Sequence, residues 1–351
     1  MATAPARPIR VLALTPQGAA LARKICQDLA GANCWLPRGQ AGDDAEIKAF
    51  DQLSAVFQEA FARRENLVCV MAAGIVVRSI APYLQGKDTD PAVVAVDEAG
   101  KFAVSLLSGH LGGANDLARR VAQILGATPV ITTATDVQGL PALDSLAAER
   151  GLLIENLDAV RQVSMALLSG QPVRLVDPDG YLADLLQENN PSLFVGENDL
   201  DAALAGGGPG VYVGFRERAW PPGWLILRPK NLVAGMGCHK GTPAREILDF
   251  LQKIFKQERL SLASLKALAT IEAKKEEPGL RQAAAELGVE FVWFTKEELQ
   301  EITVPHPSKQ VAKHLGVLSV SEAAALKAGG GELILPKVNG ANATLAVARA
   351  A

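Results

Sequence analysis

Short apolar runs alternate with amphipathic stretches along most of the chain. "RVLALTP" is an apolar run closed by Pro16, and "GAALARKICQDLAG" places apolar residues at helical spacing up to Gly31. "EIKAFDQLSAVFQEAFARR" predicts a second amphipathic helix and "NLVCVMA" a buried strand. Next come "AGIVVRSIAPYLQ" as helix, "PAVVAVDE" as strand, the apolar run "FAVSLL", the helix-like "LARRVAQILG" and "PVITTATD" as strand. Strands alternating with helices imply βαβ units, hence a parallel sheet with helices on both faces. In such sheets ligands collect where strand C-terminal ends meet helix N-termini.

From about Gly139 the pattern changes. "LPALDSLAAERGLLIENLDAVRQVSMALLSG" reads as two helices, and "PVRLVD", "SLFVG", "GVYVGF" and "WLILRP" as four short strands, with "AGGGPG" a loop among them. "NLVAGMGCHKGTPAREILDFLQKIF" opens a third stretch as strand, glycine-rich turn and long helix. "LASLKALATI", "GLRQAAAELG", "EFVWF", "QVAKHLG", "SVSEAAALKAGG", "GELILPK" and "ATLAVAR" continue the alternation, with "KKEEPG" (274–279) a solvated loop tip. The expected class is α/β: parallel or mixed sheets flanked by helices in three parts. These are a doubly wound N-terminal domain (1–138), a small central unit (139–229) and a C-terminal domain (230–351).

The 351 residues are 49% hydrophobic and 21% charged, the balance of a well-buried globular protein. A net charge of −3, with no long basic cluster, argues against nucleic acid as the main partner. The longest apolar run, "LVCVMAAGIVV", is eleven residues, too short to span a bilayer, and the first ten residues lack the apolar core of a signal peptide. Four scattered cysteines with no C-x-x-C pair argue against structural zinc and a disulfide framework, so a reducing cytoplasm is expected.

Three turns form the first candidate surface. "AAGIVVR" puts Gly74 just after a strand, with Arg78 one turn into the following helix. "SGHLGGAND" gathers Ser108, Gly109, His110, Gly112, Gly113 and Asn115. "TTATD" supplies Thr132, Thr133, Thr135 and Asp136. In a parallel sheet all three would converge on one edge. Glycine turns and helix N-termini favour an anionic, oxygen-rich ligand there. A structural account covers the same residues: Asn115 or Asp116 as a helix cap, the threonines as strand residues, and His110 as a packed histidine. The second candidate is "GMGCHKGT", where Gly235, Gly237 and Gly241 bracket Cys238, His239, Lys240 and Thr242. A helix N-terminus and a lysine would lower the Cys238 pKa and make it nucleophilic. Equally, the N–H groups with His239 and Lys240 could hold a carboxylate. A Thr242 cap with Pro243 at the first helical position explains "GTP" but not "CHK".

"LLSGHLGGAND", "TPVITTATD" and "GMGCHKGT", supported by "GIVVR", "DPAVVAVDEAG", "GVLSVSEAAAL" and "PKVNGANATLAVA", resemble the CbiG family over nearly the whole chain. The resemblance implies a cobalt-precorrin-5A hydrolase of the anaerobic cobalamin pathway. Its substrate would be a cobalt-bearing, ring-contracted tetrapyrrole whose ring A δ-lactone is opened with release of acetaldehyde. Cobalt would then arrive with the substrate, so no cofactor and no metal ligands are expected in the chain. Lactone hydrolysis needs a base and an oxyanion donor. His110 is the expected base or proton shuttle, and the N–H groups of the 112–113 turn the expected oxyanion donors. Asp136 would orient the histidine or serve as an alternative base, and Cys238 would contact substrate. Gly74, Arg78, Ser108, Gly109, Asn115, the three threonines, Gly237, Lys240 and Thr242 would bind it. His239 stands where the family commonly has arginine, which removes a bidentate carboxylate grip. The competing class is a non-catalytic tetrapyrrole carrier or chaperone. A nucleotide-dependent enzyme lacks its fingerprint, and the oligomeric state stays open, with a homodimer one candidate.

Overall fold

Five consecutive buried residues make β1 (Ile9–Ala13) an inner strand of the first sheet, covered on both faces as a parallel strand requires. The computed structural model describes residues 7–42, 44–86, 89–110, 112–306 and 319–350. Around β1 lie β2 (Ala32–Pro37), β3 (Lys48–Phe50), β4 (Asn66–Val70), β5 (Val93–Val96), β6 (Phe102–Leu107) and β7 (Thr128–Val130), in the order β3-β2-β1-β4-β5-β6-β7. Successive residues of the central strands serve opposite faces. Val11, Val68 and Val94 pack beneath helices Pro16–Asp28 and Ala114–Leu125. Leu12, Leu67, Cys69 and Val93 pack against helices Leu53–Ala62 and Ala73–Ile80. The sheet is therefore doubly wound, with its switch point between β1 and β4.

It is not all parallel. β5 and β6 pair antiparallel, Val93 opposite Leu107 and Val96 opposite Ala103, and β7 runs parallel to β6. Asp97 fixes the reversal: its carboxylate accepts from the Phe102 N–H at 2.6 Å and the Ala99 N–H at 3.1 Å. The C-terminal ends of β6 and β7 thus leave the sheet at the edge opposite that of β1, β4 and β5. The expected convergence of three turns is corrected to two.

Three local expectations also change. "KAF" within the predicted helix 46–64 is β3, and the helix begins only at Leu53. "PVITTATD" is strand only to Val130, and Ala134–Val137 is a short helix. Two strands, β2 and β8 (Leu152–Ile154), lie where no strand was predicted. The predicted segment "QVAKHLG" lies outside the described residues.

The chain divides into two compact units, one running to Glu149 with Leu167–Gly170, the other comprising Arg150–Ala166 and Gln171 onward. The second unit carries two sheets. One contains β8, β9 (Val173–Val176), β10 (Phe194–Gly196), β11 (Gly210–Val213) and β12 (Trp224–Pro229), ordered β10-β9-β11-β12-β8 with β8 antiparallel at its edge. The other contains β13 (Leu232–Cys238), β14 (Leu265–Ile271), β15 (Glu290–Phe294), β16 (Gly330–Asn339) and β17 (Ala343–Ala350), ordered β15-β14-β13-β17-β16. Here β13, β14 and β15 are parallel, while β17 runs antiparallel to both of its neighbours. Helix Val320–Gly329, rich in alanine, lies so close on this sheet that a methyl group at Gly235 would meet the Ser321 carbonyl oxygen at 1.9 Å.

Candidate functional site

The first cluster grows from the ends of β6 and β7. After Leu107 the chain enters the left-handed region at Ser108 (φ 58°), a conformation that non-glycine residues adopt at a cost and that collects at functional sites. The Ser108 Oγ is buried without a hydrogen-bond partner. Gly112 lies directly over it, and a Cβ there would come within 2.3 Å of Ser108 Cβ, so only glycine fits. Gly113 (φ 83°) is the N-cap of helix Ala114–Leu125. The structural reading of the glycines thus holds in this respect, but the cap is Gly113 rather than Asn115 or Asp116.

Asn115 is buried and works as a connector. Its Oδ1 accepts from Ser105 Oγ at 2.6 Å, and its Nδ2 donates to Thr133 Oγ1 at 3.2 Å and to Asp136 Oδ2 at 2.9 Å. The other Asp136 oxygen accepts from Arg119 Nη2 at 2.6 Å. His110 Nε2 lies 3.0 Å from Thr135 Oγ1 and 3.6 Å from Asp136 Oδ2, with about a fifth of its side chain exposed. The structure thereby joins Ser108, Gly109, His110, Gly112, Gly113, Asn115, Thr133, Thr135 and Asp136. Thr132 is exposed beside them.

One expected role changes. The Gly113 N–H donates to the His110 carbonyl at 2.8 Å, and those of Ala114 and Asn115 donate to the Ser108 and Gly109 carbonyls at 3.0 Å each. These donors hold the loop closed, so Gly113 does not offer an oxyanion contact. Arg119 was not anticipated, although it follows Asn115 by four residues and shares its helix face. Gly74 and Arg78 sit on the other sheet edge, where the Arg78 guanidinium lies back over Gly74. They do not join the His110 cluster.

The second cluster follows β13. Cys238 is the last residue of the strand, and the helix starts only at Ala244 with Pro243 as N-cap. Thr242 does not cap it: its hydroxyl donates to the His239 carbonyl at 2.9 Å. The His239 N–H donates to the Asn342 carbonyl at 2.9 Å, and its ring Nδ1 lies 3.2 Å from Asn342 Oδ1. Gly237 faces Thr344 across the β13–β17 ladder. Burial pushes the Cys238 thiol up, Lys274 opposes this and Glu277 adds to it, which weighs against the nucleophilic alternative. The "KKEEPG" loop is more than a solvated tip. Glu277 accepts from the Gly241 N–H at 2.7 Å and pairs with Lys274 at 3.0 Å, and these contacts hold its carboxyl below the usual glutamate range. Lys240 is exposed and has no ion pair among the described residues.

Three family models match in succession: "Cobalamin synthesis G N-terminal" at residues 55–136, "Cobalamin biosynthesis central region" at 141–229 and "Cobalamin synthesis G C-terminus" at 232–348. A cobalt-precorrin-5A hydrolase of Priestia megaterium is 36% identical over 350 residues, covering 96% of this chain and 94% of its own. The chain belongs to the CbiG family. A second CbiG relative, a cobalt-precorrin-5A hydrolase of Salmonella typhimurium, is 36% identical over 337 residues, 93% of each chain. A solved structure of CobE, described as a protein from the cobalamin biosynthetic pathway, is 35% identical over 34% of this chain and 90% of its own, with a TM-score of 0.32. Among the described residues, no helix of this CbiG chain is long and apolar enough to cross a membrane.

Proposed function

We propose that the chain is a cobalt-precorrin-5A hydrolase that opens the ring A δ-lactone of its substrate and releases acetaldehyde. The observation that carries this reading is identity at 36% along nearly the full length of two relatives bearing that name. The His110 cluster supplies chemistry suited to it.

In this reading His110 takes a proton from water as its oxygen adds to the lactone carbonyl. The ester C–O bond breaks, leaving a carboxylate and a hydroxyl. That hydroxyl then loses its proton and becomes the carbonyl of acetaldehyde. The adjacent C–C bond breaks, and its electron pair passes to the macrocycle. Asp136 is a positioning residue rather than a second base, because Arg119 and Asn115 already occupy its two oxygens. Thr135 fixes the histidine ring. Cobalt enters with the substrate. In the second unit Cys238 is read as an unactivated thiol rather than a nucleophile, because burial raises its pKa.

Anaerobic incubation with the lactone-bearing cobalt intermediate tests the reading. Stoichiometric acetaldehyde is the expected result. A bound but unchanged chromophore would instead mark a carrier and overturn the proposal.

A further inference from the structure

The second unit holds a basic cavity that neither the family match nor the His110 cluster accounts for. It measures about 500 Å³ and is lined by Glu155, Glu217, Arg218, Arg228, Lys256 and Arg259. Arg228 lies on β12, fully buried, with its guanidinium carbon 5.8 Å from the Tyr212 ring centre and 6.0 Å from that of Trp220. Nη1 donates to the Gly214 carbonyl at 2.9 Å and the Arg216 carbonyl at 2.8 Å, while Nε donates to Glu155. Nη2 is buried and has no partner.

The geometry of the guanidinium sharpens this. Nε and Nη2 share one edge of the group, the edge that takes a carboxylate or phosphate through two parallel hydrogen bonds. Glu155, itself a wall of the cavity, uses only the Nε half. One charge-assisted donor on that edge therefore lacks an acceptor, and a buried charged group left so is costly. The rim adds more positive charge. Arg218 is paired with Asp201 at 2.6 Å, but Lys256 and Arg259 have no ion pair among the described residues and are exposed. Four cations thus outnumber the three carboxylates Glu155, Glu217 and Asp201.

We infer that this cavity is a binding site for an oxyanionic group, carboxylate or phosphate, with Arg228 beneath it and Lys256 and Arg259 closing over it. The inference stands apart from the lactone reaction, because it concerns binding by residues outside both clusters described above.

The test is calorimetric titration of the full chain, without any corrinoid, using inorganic phosphate in one series and citrate in another at low ionic strength. The comparison is the double variant Lys256→Glu with Arg259→Glu, whose exposed positions leave the core untouched, with folding checked by circular dichroism. One saturable site for at least one anion is expected, weakened about tenfold or more in the variant because two attractive charges become repulsive. The anion that binds more tightly identifies carboxylate or phosphate as the natural group. Absence of saturable binding for both anions, or equal affinity in the variant, would overturn the inference.

Discussion

Leu107 faces Val93 across an antiparallel pair, so the loop carrying His110 leaves the sheet where β5 begins, not where it ends. This single register separates the glycine turn at 108–113 from the turn at 72–78. It also brings the 108–113 turn beside the segment after β7, because β6 and β7 are parallel neighbours. The meeting of His110 with Thr135 and Asp136 follows from that.

If His110 is the base, His110→Ala lowers the rate of acetaldehyde release by about 10²–10⁴-fold. Asp136→Asn keeps an oxygen for Arg119 but loses the charge, and a loss of roughly tenfold in kcat is expected, in line with removal of an outer partner that orients a reactive histidine. Initial rates under anaerobic conditions decide both. A His110→Ala protein running at the wild-type rate would remove His110 from the chemistry.

Gly112→Ala forces a methyl group into Ser108. With the contact at 2.3 Å, the loop has to shift or the side chain has to leave its place. Overpacking of this kind costs about 1–3 kcal/mol, read as a drop in Tm of several degrees. An unchanged Tm would mean that Gly112 does not lie against Ser108 in solution.

Cys238 behaves as a half-buried thiol. Since burial raises its pKa, the thiolate is scarce at neutral pH and grows only as pH rises through and beyond the ordinary cysteine range. Iodoacetamide at pH 7.5 therefore alkylates Cys238 more slowly than free cysteine, and Cys238→Ser retains most of the turnover. Rapid alkylation at neutral pH, or loss of turnover with binding intact, would restore the nucleophile.

Glu277 links acid stability to the "GCHKGT" turn. Its folded pKa is depressed by the Gly241 N–H and Lys274, so its contribution is full above the unfolded glutamate pKa. That contribution is lost as pH falls through the lower folded value. The stability gap between wild type and Glu277→Gln, measured by denaturant titration, is thus greatest near neutrality and closes in acid. A gap that widens on acidification contradicts this linkage.

Much of the fold was legible because central parallel strands are continuous apolar runs: β1, β4 and β5 announce themselves by composition alone. The direction of β6 was not read from "FAVSLL", since apolar patterning carries no direction. Loop length does carry it. Only five residues separate Val96 from Phe102, too few for the crossover a parallel partner needs. At the site, the histidine, threonines and aspartate were legible as polar residues crowded at strand ends. Arg119 was signalled by its spacing from Asn115. Glu277 was not legible, because its meeting with Gly241 depends on packing between segments 36 residues apart.

The position of β17 has a consequence for biosynthesis. The strand made last in its sheet, Ala343–Ala350, is an inner one, with β13 on one side and β16 on the other. The first sheet, by contrast, ends with β7 at its margin. The nascent chain can therefore close its N-terminal sheet while synthesis continues, as early-made domains generally do. The last sheet stays split, with β13 exposing an unpaired edge, until Ala343–Ala350 has emerged and paired with it. During that interval the edge is open to pairing with other chains, which makes the C-terminal third the part of this protein most exposed to misassembly as it is made.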